Sequence, residues 1–303
     1  MKIGFGAPVS GSWATPENMA HIARRAEELG YHSLWTYQRL LSPVDAAWGE
    51  MYRSVLDPVV PLAYIAALTS RIRLGVAVIN MPFISPVVVA TQLAALDIVS
   101  GGRVDAGFGN GWSDEEFIAT GASKQGQARR ADEFLAVVKM LWTDEVVEHS
   151  GEFYRVPRMR LDPKPVQRPN PPILLGARAV PALQRAGRLC DGWVSSSRAD
   201  LRTIGESVAV VKAAAEQAGR DPDALRFVCR GVARVREAGG ADRPPLTGTL
   251  DQIRADIDDL AAQGITELFF DLNFDPQIGS PDADAAESRG RADEALEALA
   301  SQR

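Results

Sequence analysis

The sequence predicts an α/β fold, and more specifically a (β/α)8 TIM barrel with an insertion after its fourth strand. Two observations lead to this prediction. Strand-like and helix-like segments alternate along nearly all of the 303 residues, with eight strands each followed by a helix. Residues 72–79 read IRLGVAVI, a continuous apolar run typical of a strand buried on both faces of a parallel sheet. Eight such units favour a closed barrel over an open sheet.

The elements before the insertion have clear start and stop signals. Thr15 supplies a hydroxyl cap and Pro16 a first-turn proline for the first helix, which Gly30 ends. Gly101 and Gly102 end the third helix. The predicted strands are 2–5, 33–36, 72–79 and 104–108, and the second and third predicted helices are 57–68 and 86–99.

The insertion covers approximately residues 112–170. It contains a predicted helix at 127–141 and a hairpin at 146–156 that turns at Ser150 and Gly151. Five prolines within 163–172 indicate an irregular surface excursion. No long linker divides the chain, so we expect one domain over residues 1–303.

The alternation resumes after the prolines. Thr249 and Gln252 form a capping box at the start of the next-to-last helix, and Gly264 ends that helix. The predicted strands are 173–175, 192–194, 226–235 and 267–271, and the predicted helices are 180–189, 201–217, 250–262 and 284–300.

Composition narrows the classes of function. A net charge of −6 and a pI near 5.3 argue against a nucleic-acid partner, because neutralising phosphates needs a basic surface. No apolar run reaches the length of a membrane span, and the first residues lack the apolar core of a signal peptide. Cys190 and Cys229 lie far apart without a CxxC motif, so we expect reduced, buried thiols in a cytoplasmic protein.

The segment 103–116, RVDAGFGNGWSDEE, marks the expected site. Glycines at 107, 109 and 111 strip the side chains from a strand end, so a flat or phosphorylated ligand could lie against bare backbone. A simple tight turn is the alternative. The run is not a dinucleotide motif, because its spacing is wrong and no helix is expected directly after it.

Other common chemistries lack their motifs. His21, His32 and His149 form no paired ligand pattern, so we expect no metal site and assign them structural or surface roles. The sequence contains neither a GxSxG nucleophile motif nor a phosphate-binding P-loop.

Two later loops suit a phosphate. Gly176, Ala177 and Arg178 lead from a strand into a helix N-terminus, where free amides and the helix dipole favour an anion. Ser195, Ser196 and Ser197 follow the next strand, with Arg198 beside them. Adjacent strands bring these loops together, although a plain loop explains the serines equally well.

The remainder of the barrel mouth is expected to be apolar. Apolar walls that face a phosphate cradle suit a ring system on a phosphorylated tail, while core packing is the alternative for each aromatic residue. The wall residues are Phe5, Trp35, Tyr37, Val78, Phe83 and Trp112.

With these segments in place, the chain resembles the bacterial luciferase-like family, and more closely its coenzyme F420-dependent oxidoreductase branch. The resemblance covers almost the whole length. The segments that carry it are KIGFGAP (2–8), RAEELGYHSLW (25–35), RIRLGVAV (71–78), VVVATQLAALDIVSGGRVDAGFGNGW (87–112), PPILLGA (171–177), DGW (191–193) and LTGTLDQI (246–253).

The resemblance implies an enzyme that binds a deazaflavin or flavin in the barrel mouth. It implies a non-prolyl cis peptide at Ala77–Val78 under the cofactor ring. The ring would be flanked by Gly109, Asn110 and Gly111, and the phosphate held by Gly176, Ala177, Arg178, Ser195, Ser196 and Ser197.

Two positions depart from the family pattern. The branch often has Asp-His after the second strand, where this chain has Gln38 and Arg39. Its sugar-phosphate dehydrogenases carry Glu at the position of Trp112. This argues against sugar-phosphate oxidation and favours a reductase or monooxygenase with an apolar substrate. Gln38, Arg39 and Trp112 are the catalytic candidates; Trp112 could stack on the substrate, and Arg39 could polarise it or form a salt bridge at the rim.

The expected function is hydride transfer between F420 and an organic substrate. The alternatives are an FMN-dependent luciferase-like monooxygenase served by a separate flavin reductase, and a cofactor-binding barrel without chemistry. The cofactor carries most of the chemistry, so missing acids do not exclude activity. Loops 40–52 and 238–248 would define the small-molecule substrate, and Trp48, Met51 and Tyr52 indicate an apolar pocket or a dimer contact. Since family members are often dimers, a homodimer is expected.

Overall fold

A closed eight-stranded parallel barrel forms the body of the molecule, as the sequence predicts. The computed structural model describes residues 1–45 and 48–300; residues 46 and 47, within the predicted substrate loop 40–52, lie outside the described residues, as do 301–303. Neighbouring barrel strands are parallel, and a pairing between the third and fourth of them closes the sheet. Helices lie between consecutive strands, which gives the (β/α)8 order.

The strands are β1 Lys2–Gly6, β2 Ser33–Thr36, β3 Arg73–Val76, β4 Ile79–Asn80, β5 Val104–Gly109, β6 Val147–Ser150, β7 Arg155–Met159, β8 Ile173–Gly176, β9 Gly192–Val194, β10 Arg226–Val232, β11 Arg234–Val235, β12 Thr247–Gly248 and β13 Glu267–Asp271. Eight of them build the barrel: β1, β2, β3, β5, β8, β9, β10 and β13. The short strand β4 continues the third barrel strand beyond Ala77 and Val78 and pairs with β5.

The helices begin and end largely at the predicted signals. The Thr15 hydroxyl accepts a hydrogen bond from the Asn18 amide, and both bonds of the Thr249–Gln252 capping box are present. The helices are α1 Pro16–Glu28, α2 Val59–Leu68, α3 Pro86–Ser100, α4 Asp114–Ala119, α5 Gln127–Thr143, α6 Val180–Leu189, α7 Ile204–Gln217, α8 Leu250–Ala262, α9 Pro276–Gly279 and α10 Ala285–Leu299.

Three predictions about local structure need correction. Residues 226–235 form two strands rather than one, since Ala233 separates β10 from β11, and β11 pairs with β12 outside the barrel sheet. Residues 72–79 do not form one strand, since Ala77 and Val78 interrupt it between β3 and β4. Helix α4 follows the glycine run at a distance of only two residues, where a loop was predicted. Ser113 caps it by accepting from the Glu116 amide at 3.1 Å, and its first turn is acidic, as the helix dipole favours.

The middle of the barrel is filled by large side chains. The rings of Trp35 and Phe269 stack with centroids 5.1 Å apart, and Leu174, Val194 and Val228 pack around them. A Cβ at Gly75 would approach the Trp35 ring to 2.3 Å, so glycine makes room for this indole. The barrel is therefore a packed core whose free space lies at its ends.

A layer of charged side chains closes the amino-terminal end of the barrel. Asp105 is fully buried and accepts hydrogen bonds from both Arg73 and Arg226. Glu267 accepts from Arg226 at 2.7 Å and from the Ser33 hydroxyl at 2.5 Å. Carboxylates and guanidinium groups thus neutralise each other inside the sheet.

Both cysteines are buried and unpaired, as predicted. Burial raises the pKa of the Cys190 and Cys229 thiols to about 12, which leaves them protonated. Within residues 1–45 and 48–300, no helix is both long and apolar enough to cross a membrane.

Candidate active site

A cleft of about 300 Å³ opens at the carboxyl end of the barrel strands. This is the end at which TIM barrels carry their chemistry. All fourteen residues proposed as catalytic or cofactor-binding from the sequence line this single cleft. Its walls also include residues that the sequence did not single out for the site, among them Asn80, Arg230 and Phe274.

The glycines of the cleft floor make room for Val78. A Cβ at Gly109 would lie 2.4 Å from a Val78 methyl group, and one at Gly176 would lie 2.8 Å from the other methyl group. The Ala77–Val78 bond is cis, the form that the resemblance implies. The predicted reason for the glycines, a bare backbone for the ligand, is thus incomplete, because Val78 occupies the space in front of two of them.

The loops after β8 and β9 form one end of the cleft. Gly176, Ala177 and Arg178 lead into α6, whose N-cap residue Ala179 provides no side-chain hydrogen bond to the first turn. Ser196 and Ser197 are half-buried in the next loop. The Ser195 hydroxyl accepts from the Arg230 amide at 2.9 Å, so this serine also supports the backbone of β10. Hydroxyls and an uncapped helix N-terminus suit an anion.

Arg230 lies inside the cleft and was missed by sequence analysis. Its guanidinium carbon lies 4.4 Å from the Tyr37 ring centroid and 4.5 Å from that of Phe274. Nε donates to Asp271 at 2.7 Å and Nη1 donates to the Ala77 carbonyl at 3.0 Å. Nη2 is buried and has no partner, which leaves both of its N–H donors for a ligand.

Burial also changes the pKa of the Tyr37 phenol, which lies beside Arg230. Burial raises the pKa of Tyr37, the Asp271 carboxylate adds to that effect, and Arg230 opposes it. The phenol therefore stays neutral at physiological pH and can donate or accept a hydrogen bond.

Gln38 and Asn110 provide amide groups in the loops that follow β2 and β5. The Gln38 Oε1 accepts from the Asn80 amide at 2.9 Å and from its side chain at 3.1 Å. The Asn110 backbone carbonyl accepts from Gln127, while its side-chain Oδ1 is buried without a partner. Gln38 is thus held by the protein, whereas Asn110 retains an unused acceptor.

Arg39 is surrounded by an aromatic cage of Trp48, Tyr52 and Trp112. Its guanidinium carbon lies 4.6–5.1 Å from the three ring centroids. Nη1 donates to Glu116 at 2.6 Å, and both side chains of this pair are buried, so Arg39 forms the salt bridge that was one of its two predicted roles. The other role, polarising a substrate, stays a prediction. Burial lowers the pKa of Arg39, an effect that Glu116 opposes. The guanidinium nevertheless remains charged, since arginine does not lose its proton in proteins.

Three predicted wall residues do not line the cleft. Phe5 is fully buried and packs edge-on against Tyr31. Trp35 fills the barrel interior, and Phe83 packs against Phe117 outside the lining residues. Core packing, the alternative weighed for each aromatic residue, applies to these three, while Tyr37, Val78 and Trp112 line the cleft as predicted.

The residues that sequence analysis missed carry one recognisable signal. Arg230 lies on β10 and Asp271 ends β13, and the only other charged residue in each strand is its first, Arg226 in β10 and Glu267 in β13. A charged residue on the inward face of a buried strand needs a partner, which is why Arg230 and Asp271 meet. Glu116 was hidden because α4 was predicted to be a loop.

The sequence model of a protein family described as luciferase-like monooxygenase matches residues 3–241 of this chain. An uncharacterized protein of Mycobacterium tuberculosis is 34% identical over 214 residues, which cover 67% of this chain and 75% of that protein. An FMNH2-dependent dimethylsulfone monooxygenase of Pseudomonas putida is 34% identical over 150 residues, covering 48% of this chain and 39% of the relative.

Solved structures agree on the fold. A monooxygenase from Streptomyces bottropensis matches with a TM-score of 0.81 and 26% identity, covering 99% of this chain and 98% of that one. A coenzyme F420-dependent tetrahydromethanopterin reductase from Methanopyrus kandleri matches with a TM-score of 0.76 and 18% identity, covering 99% and 98% of the two chains. The second likeness shows the barrel alone.

Proposed function

Because the chain belongs to the luciferase-like monooxygenase family, we propose that it is an F420-dependent oxidoreductase acting on a small organic substrate. The deazaflavin would bind in the cleft at the carboxyl end of the barrel. When bound, this cofactor supplies a hydride, and the protein supplies position and electrostatics.

The observation that carries the proposal is the distribution of unused polar groups in the cleft. At one end, the hydroxyls of Ser196 and Ser197 and the uncapped N-terminus of α6 line the cleft. The Ser196 oxygen accepts from the Arg198 amide at 3.2 Å and keeps its own O–H to donate. On the floor, Arg230 Nη2 and Asn110 Oδ1 are buried without partners. Buried polar atoms are rarely left unpaired, so these groups fit a ligand with a phosphate at one end and a polar ring at the other.

Each group then has a defined task. Arg178, the serines and α6 would bind the phosphate through charge-assisted hydrogen bonds. Arg230 would donate Nη2–H to an oxygen of the ring, held rigidly by Asp271 and the Ala77 carbonyl. Tyr37 and Phe274 would keep water from that contact, since they flank the guanidinium.

An FMN-dependent monooxygenase is the second candidate, because a named FMNH2-dependent relative shares 34% identity over 150 residues. The same cleft groups would serve a flavin phosphate and ring. The homodimer, the single domain and the cytoplasmic location stay predictions.

The two cofactors can be distinguished by direct binding. The purified protein is titrated with F420 and, separately, with FMN, and the fluorescence quenching of each cofactor is followed. We expect micromolar affinity for F420 and none for FMN. Binding of FMN alone would favour the second candidate, and binding of neither would overturn the proposal.

A matched pair of variants tests the phosphate end. Arg178 precedes α6 and lines the cleft, whereas Arg188 is exposed in the last turn of the same helix. Arg178→Ala should weaken F420 binding roughly tenfold or more, because one charge-assisted hydrogen bond is lost. Arg188→Ala should bind F420 as the wild type does. Equal affinities for the two variants would contradict this role of Arg178.

Turnover is measured separately. Oxidation of reduced F420 in the presence of a panel of enones and imines would support the oxidoreductase. Cofactor binding without oxidation across the panel would favour a cofactor-binding barrel without chemistry.

A further inference from the structure

The mouth of the cleft holds Arg39 in a fixed position. Glu116 accepts from Arg39 Nη1 and also from the backbone amide of Leu40 at 2.8 Å, so the carboxylate is held by two neighbours of the same loop. The aromatic cage covers the guanidinium from several sides. A long side chain that has already lost its freedom can bind a ligand at little further entropic cost.

One atom of this arrangement has no use within the protein. Arg39 is 7% exposed and lines the cleft, and its Nε is buried without a hydrogen-bond partner. A buried N–H left unpaired costs free energy, and a ligand that supplies an acceptor recovers it.

The charges of the cleft favour a negative ligand. Among the residues described, the cleft lining contains the cations Arg39, Arg178 and Arg230 and no Asp or Glu. The carboxylates that balance Arg39 and Arg230, Glu116 and Asp271, are buried behind them. A ligand in the cleft therefore meets guanidinium groups first.

The shape of the mouth favours a flat ligand. Tyr52 and Trp112 line the cleft, and Trp112 is 45% exposed, so part of its ring surface is open. A second cation, Arg198, lies 4.9 Å from the Trp112 ring centroid and 5.9 Å from that of Tyr52. Aromatic faces bordered by cations suit a planar ring that bears negative charge.

We propose that the substrate of this enzyme is a planar aromatic anion whose carboxylate or phenolate oxygen binds Arg39 and whose ring packs against Tyr52 and Trp112. The oxygen accepts a hydrogen bond from Arg39 Nε. This inference rests on the proposed function, because it assigns the mouth to the substrate and the floor to the cofactor. It also refines the expected apolar substrate, since the cage accounts for an apolar body and Arg39 adds one anionic group.

The test uses ligands that differ in one property at a time. Naphthalene-2-carboxylate, naphthalene-2-carboxamide and cyclohexanecarboxylate are titrated into the full-length protein by isothermal calorimetry, with the cofactor that binds already at saturation. We expect the naphthoate to bind at least tenfold more tightly than the amide, which lacks the charge, and than the cyclohexane acid, which lacks the flat ring. Equal affinities for naphthoate and its amide would overturn the proposal.

Variants locate the binding. Arg39→Gln should abolish the preference for the anion, whereas Arg160→Gln, at an exposed surface pair with Glu145, should keep it. Trp112→Ala, a change at a half-exposed ring, covers the case that Arg39→Gln does not fold. It should weaken the naphthoate several-fold and leave the cyclohexane acid unaffected. A folded Arg39→Gln, or a Trp112→Ala, that binds naphthoate as the wild type does would overturn the proposal.

Failure of this inference differs from failure of the proposed function. If F420 or FMN binds but naphthoate shows no charge or ring preference, only the substrate assignment fails. If naphthoate binds through Arg39 while neither cofactor binds, the proposed function fails and the anion site stands.

Discussion

Two arginines on one strand of the barrel differ in their hydrogen-bond partners. Arg226 and Arg230 both lie on β10, four residues apart, and the alternation of a strand turns both side chains to the same face. Arg226 lies in the charged layer at the amino end, and Arg230 lies in the cleft at the carboxyl end.

Arg226 is bound by two buried carboxylates of the protein. It donates to Asp105 through both Nη atoms and to Glu267 at 2.7 Å. Burial alone would lower the pKa of Arg226, but the carboxylates of Asp105 and Glu267 outweigh it and raise the pKa. Arg73 completes the layer through two bonds to Asp105.

Arg230 has one carboxylate and one carbonyl as partners, and its Nη2 has none. Charged groups inside this barrel therefore occur in two different arrangements. At the closed end Arg73 and Arg226 are both bound to buried carboxylates, and the layer fixes the structure. At the open end Arg230 Nη2 has no partner in the protein.

The largest expected effect is on the closed end. Asp105→Ala leaves Arg73 and Arg226 without their shared carboxylate, so we expect a loss of about 3–5 kcal/mol in the free energy of unfolding. Urea denaturation measures it. Asp258→Ala, at an exposed residue of α8, is the matched control and should change stability by less than about 0.5 kcal/mol. A loss below about 1 kcal/mol for Asp105→Ala would contradict the structural role of the charged layer.

The two arginines can be exchanged for lysine in parallel. Arg230→Lys keeps a charge beside Asp271 but removes the Nη2 donor, so we expect F420 affinity to fall roughly tenfold or more. Arg226→Lys should reduce stability in urea without weakening the cofactor, because its partners are all protein groups. Fluorescence titration with F420 measures both affinities. Equal losses of F420 affinity in the two variants would contradict a specific role of Arg230 in cofactor binding.

The stability contributed by Asp105 at the amino end of the barrel should depend on pH. Burial by itself would raise the pKa of Asp105, but hydrogen bonds from Arg73 and Arg226 outweigh it and hold the pKa below its ordinary value of 3.8. The stabilisation is therefore complete above about pH 4 to 5 and is lost as the pH falls through the folded-state pKa. Below pH 4 the wild type should lose up to about 1.4 kcal/mol per pH unit more than Asp105→Asn. Parallel curves in acid urea titrations would refute this.

The smallest expected effect is at the open end. Asn110→Ala removes an Oδ1 that has no partner, while the backbone bond from Gln127 to residue 110 remains. We expect the free energy of unfolding to change by less than about 0.5 kcal/mol. Thermal or urea unfolding without ligand measures it, and a loss above about 1.5 kcal/mol would mean that the side chain is structural.

Much of the fold could be predicted because its signals are local. Strands β2, β9 and β13 and helices α6 and α8 have the predicted bounds, since caps, glycines and apolar periods lie within each segment. The interruption of β3 and β4 and the helix α4 could not be predicted in this way. The first depends on space left by glycines of other strands, and the second begins at a serine cap inside a segment dominated by glycines.

The site was predicted residue by residue, but its pairs were not. Strand order brings the loops after β2, β5, β8 and β9 together, so residues at those strand ends meet in one cleft. The partners Arg230–Asp271 and Arg39–Glu116 are 41 and 77 residues apart in sequence. No local pattern encodes such a pairing, although charged residues within apolar strands indicate that one exists.

The packing of Val78 against Gly109 and Gly176 couples three positions that are distant in sequence, so that they should evolve together. Its methyl groups fill the places where residues 109 and 176 would carry side chains, so those positions can gain a side chain only if position 78 gives one up. Among descendants of this chain, we expect residues 78, 109 and 176 to change together or not at all. Simultaneous substitution of residues 78, 109 and 176 is therefore a way to redesign the shape of the cleft floor.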